Sequence, residues 1–182
     1  MKKTTFLMAA VSLALATVVS GYGQQNAVGE NGLAVGVREH QDSTRVTSLP
    51  FQDGDMSYMI AYEYHEPVAF WQIGLDVAPS LKSSSNSVDY VATPQINLLI
   101  NDQQYKIFRG GVGFLRSYSA GAEGSENKWS DYYWQAILGA AIPVAGKLTL
   151  SAYGYWPFRK LNDVTDFKTQ DLEWGAFLGL TF

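Results

Sequence analysis

From residue 33 onward the chain alternates apolar residues with polar or small ones at a period of two. This is the signature of extended strands whose two faces meet different surroundings. The last segment, 172–182, is the clearest. Leu172, Trp174, Ala176, Leu178, Leu180 and Phe182 share one face, and Glu173, Gly175, Phe177, Gly179 and Thr181 the other. The pattern recurs in 57–65, 69–79, 90–100, 131–142 and 147–156, and more weakly in 33–39. At ~3.3 Å per residue the last segment meets the ~9–11 residues that a tilted transmembrane strand needs.

Segment 105–118 makes the eighth strand, and its phase is decided by energy. Placing Phe108, Val112 and Phe114 outward puts Arg109 inside. It also puts Lys106 and Arg116 outward near the ends, where a cation can snorkel. The opposite phase would leave Arg109 in lipid at a cost of ~2–4 kcal/mol. Pro94 cannot donate to a ladder, so a bulge or locally broken pairing is expected there.

The connections alternate in length. Residues 40–56, 80–89, 119–130 and 157–170 are long and mostly polar. Residues 66–68, 101–104 and 143–146 are short and carry turn residues such as Glu66-Pro67 and Asn101-Asp102. An up-and-down arrangement then gathers every long loop at one end. Transmembrane barrels have this asymmetry, with long loops extracellular and short turns periplasmic.

Alternation alone does not say which face is the interior. A soluble lipocalin-like barrel packs its apolar face inward, and an outer-membrane barrel reverses this. The polar face here is short of Lys and rich in Gly and Tyr, with Glu63, Asp76, Gln95, Asn97, Arg109, Gln135 and Glu173. That composition suits a crowded interior filled by a few polar side chains. Charged residues are 16% of the chain, against ~25% in soluble domains, and aromatics are 14%. The outward aromatics should gather in two girdles: Tyr58, Tyr90, Tyr132, Trp156 and Trp174 toward the loops, and Tyr64, Trp71 and Phe182 toward the turns.

The N-terminus reads as a secretory signal. Lys2 and Lys3 precede an apolar run from Phe6 to Val19, and Val18 and Ser20 suit cleavage before Gly21. The expected organisation is a signal peptide over 1–20, a short lead over 21–31, and a barrel domain over 32–182. The formal net charge of −4 becomes about −6 once Lys2 and Lys3 are removed, a poor match for nucleic acid. The absence of cysteine excludes disulfides, thiolate metal sites and a lipoprotein anchor.

Candidate chemistry lies mainly in the inward charges Arg38, Glu63, Asp76, Arg109 and Glu173. Buried charges need partners, and these five read as a polar network that plugs the lumen or lines a narrow path through it. His40 is placed at the start of the first long loop, near Asp42 and Ser43, and His65 beside the turn at Glu66-Pro67. No His follows position 65, which removes the late-strand His-Ser pair of barrel deacylases. Acidic loop residues (Asp53, Asp55, Glu123, Glu126, Asp163, Asp166) follow no recognised cation loop. No cofactor, catalytic residue or metal site is expected.

Together these features resemble the small outer-membrane barrels of the OmpA/OmpX type. The likeness covers about 32–182 and rests on the signal peptide, the eight alternating segments, the loop asymmetry and a terminal aromatic. It implies an all-β fold, an eight-stranded antiparallel up-and-down transmembrane β-barrel in the cell outer membrane. It also implies that Trp174, Leu178, Leu180 and Phe182 form a signal read by the barrel-assembly machinery; with Phe182 as the last residue, a peptidoglycan-binding domain of the kind some members carry is not expected. Expected partners are outer-membrane lipid, that machinery, and an unidentified extracellular ligand at loops 40–56, 80–89, 119–130 and 157–170. A structural or surface-interaction role is the leading expectation. A narrow pore, a soluble periplasmic lipocalin-like barrel and a lipid A-modifying enzyme are the alternatives.

Overall fold

The structure is a computed structural model that describes residues 29–42, 46, 49–79, 81, 88–101, 107–121, 126–160, 162–163 and 168–182. The expected signal peptide and most of the lead, together with Ser43, Lys106, Glu123 and Asp166, lie outside the described residues.

Ten strands form one sheet: β1 (Glu30–His40), β2 (Asp55–His65), β3 (Ala69–Ala78), β4 (Val88–Asn101), β5 (Phe108–Leu115), β6 (Tyr118–Gly121), β7 (Lys128–Trp129), β8 (Tyr133–Ala145), β9 (Leu148–Phe158) and β10 (Glu173–Thr181). Short interruptions divide β5 from β6 and β7 from β8, so the ten pieces make eight staves. Each stave pairs antiparallel with its neighbours in sequence, and β1 pairs with β10, which closes the barrel. Closure leaves no edge of unpaired N–H and C=O groups, which a strand structure in lipid requires.

The side chains follow the expected phase. Leu33, Ile60, Ile73, Ile96, Val112, Leu138, Leu178 and Leu180 are exposed on the outer wall, with Leu138 at 60%. Phe108 is outward at 61%, and Arg109 points in and bonds to Tyr153. Tyr58, Tyr90, Tyr132, Trp174, Tyr64, Trp71 and Phe182 are exposed. The soluble-barrel alternative needs the opposite phase.

The interior is filled by aromatic side chains whose room is made by glycines. Phe177 packs with Tyr153 and Tyr155. A Cβ on Gly36 would lie 2.1 Å from the Phe177 ring, and one on Gly139 would lie 2.4 Å from the Tyr153 ring. Small residues on one stave therefore receive large ones from the next. A barrel of this size is just wide enough to be filled in this way.

At Pro94 the ladder to the next stave is interrupted without a slip, spanned by one long bond from the Arg116 N–H to the Pro94 carbonyl at 3.4 Å. The β4 ladder runs to Gln95↔Leu115 and resumes at Ala92↔Tyr118 in the same register. Proline has no N–H to offer across that gap. Its other neighbour, Leu75, stays paired. The last turn is tighter than expected: β8 runs on to Ala145, and the chain reverses at Gly146, whose φ of +54° suits glycine.

Candidate functional site

The inward charges form two groups rather than one network. The group nearer the long loops is built on β1, β2, β3 and β10. Arg38 donates from Nε to Glu173 Oε2 at 2.7 Å, and its Nη2 lies 2.5 Å from the same oxygen. His40 Nδ1 lies 3.1 Å from Glu173 Oε2, and His40 Nε2 lies 2.8 Å from Ser57 Oγ. A carboxylate only accepts, so Nδ1 carries a proton and donates to Glu173, while Nε2 and the Ser57 hydroxyl share the second hydrogen bond. Asp76 Oδ2 is 3.9 Å from both Arg38 and His40. Neither oxygen of Asp76 has a hydrogen bond among the described residues. The Arg38 guanidinium also stacks 4.2 Å above the Tyr155 ring.

The second group is nearer the short turns. Glu63 accepts from Gln72 at 2.8 Å and lies 2.8 Å from His65 Nε2. Arg109 donates to the Tyr153 hydroxyl at 2.9 Å and stacks on Phe70. A layer of amides continues inward from Gln72. Asn97 donates to Gln72, and Gln135 donates to Gln95 and to Asn97. Side-chain amides carry both donors and acceptors, so they can hand hydrogen bonds across the lumen where a lone charge could not.

His40 corrects the sequence reading. It is the inward last residue of β1, 4% exposed, and not the first residue of a loop. Its partners among the described residues are Glu173 and Ser57, while the Asp42 backbone N–H donates to Asp53. The inward run Ala34, Gly36, Arg38 continues by two residues to reach it, and that continuation was readable. Asp55 is likewise buried at the start of β2, where its carboxylate accepts from the Gln52 backbone. Among the described residues no three His, Asp or Glu side chains are grouped to hold a metal ion.

The described residues of the first connection fold over the loop-side mouth. Phe51 stacks flat on His40, with centroids 3.8 Å apart, and packs with Ala78 and Val91. Val46 packs with Leu115 and Tyr133 on the adjoining staves, and Leu49 touches both clusters. The apolar residues Val46, Leu49 and Phe51 thus act as a stopper rather than a display surface. Ser57, His40 and Glu173 stand in the order nucleophile, base and orienting acid. Ser57 is only 1% exposed and Phe51 covers the imidazole, so in this arrangement the hydroxyl is out of reach of a substrate carbonyl.

On the outer wall, Trp174, Leu178, Leu180 and Phe182 form an exposed row. The Phe182 backbone N–H bonds to Asn31 across the closing seam.

No family model matches the chain, and no curated protein matches its sequence. Solved structures of similar shape include Neisserial surface protein A (NspA), at 11% identity and a TM-score of 0.53 over 85% of this chain and 97% of that one. Another is Ail, the attachment invasion locus protein of Yersinia pestis, at 11% identity and a TM-score of 0.47 over 86% of this chain and 100% of that one. The likeness to NspA is one of fold: the chain has the closed eight-stranded architecture of the small outer-membrane barrels.

Proposed function

We propose that this protein resides in the cell outer membrane as a filled, non-conducting barrel that anchors its long connections at the cell surface for a structural or interaction role. One observation carries the reading. The middle of the outer wall carries no charge, while Arg38, Asp76, Glu63 and Glu173 are buried inside. Soluble monomers rarely expose an apolar patch larger than a few hundred Å², and a continuous band around a closed barrel suits acyl chains. NspA is named a surface protein, which accords with the reading at the level of fold.

Cell fractionation with protease treatment of intact cells tests the location. The full chain should stay with the outer-membrane fraction, and cleavage should fall within 119–130. Recovery in the osmotic-shock fluid would overturn the reading.

Occlusion of the mouth by Phe51 and Val46, with the aromatic and amide filling below, favours an anchor over a pore. Planar-bilayer recordings of the refolded protein should show no conductance steps above background. Steps that disappear when the interior is altered at Arg38 would instead establish a narrow channel.

A further inference from the structure

Charge on the outer face of the staves is confined to their ends, and Arg116 is the instance with an unusual setting. It continues the outward run Phe108, Val112, Phe114 and falls in the interruption between β5 and β6. Its Nε donates to the Ser130 carbonyl at 3.0 Å. Its guanidinium carbon lies 5.0 Å from the Trp129 ring and 4.8 Å from the Tyr132 ring. The nearby carboxylate, Asp131, is paired with Arg159 at 2.6 Å. Among the described residues no carboxylate pairs with Arg116, and its two terminal nitrogens make no hydrogen bond. The Ser130 bond and the rings thus position the side chain, while four N–H donors remain to meet a ligand.

Arg116 lines a groove of about 380 Å³ on the outer wall together with Ile73, Pro94, Ile96, Phe114, Trp129 and Tyr132 among others. The compact ring of Pro94, at the gap in the β4 ladder, forms part of its lining. A planar cation with free donors above an apolar trough matches an amphiphile. The fork geometry of Arg fits a phosphate in bidentate fashion, and the apolar walls fit an acyl chain.

We infer that this groove is a binding site for a phosphorylated, acylated lipid of the loop-side leaflet, with Arg116 holding the phosphate and Pro94, Ile96 and Phe114 seating a chain. The inference rests on the membrane placement proposed above. Trp129 and Tyr132, with an apolar body and a polar tip each, stand at the level where such a headgroup meets its chains.

The test uses the full chain refolded in detergent and examined by native mass spectrometry with lipid A as the probe. Dephosphorylated lipid A and inorganic phosphate are the comparison ligands. Wild type should retain lipid A. Arg116→Gln should retain on the order of tenfold less, the loss of a charge-assisted hydrogen-bonded pair, and Arg116→Lys should recover part of it. Ile96→Trp, which fills the groove, should lower retention with Arg116 intact. Dephosphorylated lipid A should be retained as weakly as the probe is by Arg116→Gln. Equal retention of lipid A by wild type and a folded Arg116→Gln would overturn the site while leaving the membrane reading intact. Capture of inorganic phosphate in preference to the lipid would also overturn it. A wild-type chain that does not insert into bilayers would instead remove the membrane reading.

Discussion

Glu173→Leu should destabilise the barrel by about 3–5 kcal/mol, the cost of leaving a buried cation without its partner. At a slope of roughly 2 kcal/mol per M of urea, the unfolding midpoint of the refolded protein falls by about 2 M. The side-chain volume is nearly kept, so the loss is electrostatic. Glu173 Oε2 is the acceptor for Arg38 Nε, Arg38 Nη2 and His40 Nδ1, all within a region where Arg38 is 3% exposed. Asp76, at 3.9 Å, is too far to replace it as a hydrogen-bond acceptor. Replacing all three charges together, as Arg38→Met, Asp76→Asn and Glu173→Leu, removes the desolvation cost along with the attraction. That triple variant should be more stable than Glu173→Leu alone. A single variant with a wild-type midpoint would mean that the cluster is solvated rather than dry.

Leu138→Lys should cost about 2–4 kcal/mol in lipid vesicles, whereas Ile142→Lys on the same stave should cost about 0–1 kcal/mol. Both side chains face outward, at 60% and 50% exposure. Leu138 lies at the centre of Tyr133–Ala145, and Ile142 lies near the turn end. Only a low-dielectric slab makes the penalty depend on depth. In water an exposed Lys costs little at either position, so equal and small effects would contradict a lipid-facing wall. The measurement is the urea midpoint of each variant in vesicles, scored by the mobility difference between boiled and unboiled samples.

Much of this architecture is legible in the sequence. Alternation divides each stave into two faces, and the cost of a cation in lipid favours the phase in which Arg109 turns inward, where it bonds to Tyr153. The missing N–H of Pro94 implied a fault in the ladder, which proved to be a gap in constant register. The reading failed where a local rule met a distant contact. The sequence pattern places His40 in a loop because the first strand is weakly patterned, with Gly36 and Ala34 offering little contrast to Val35. Its inward position is secured by Glu173, 133 residues away, and by Phe51 stacked upon it. The stretch 46–51 contains Val46, Leu49 and Phe51, yet an apolar residue in a loop carries no label for the surface it will cover.

Period-two alternation, loop lengths and the scarcity of charge were enough to establish eight antiparallel staves with a polar interior. These are properties of neighbouring residues, since a strand turns each successive side chain to the opposite face. Which inward charges meet, and what seals the mouth, was decided only when β1 closed on β10. Closure joins the two ends of the described chain and sets the stagger between staves. That stagger brings Arg38 and His40 to Glu173, and it leaves Glu63 and Arg109 in a separate group on the other side of the amide layer.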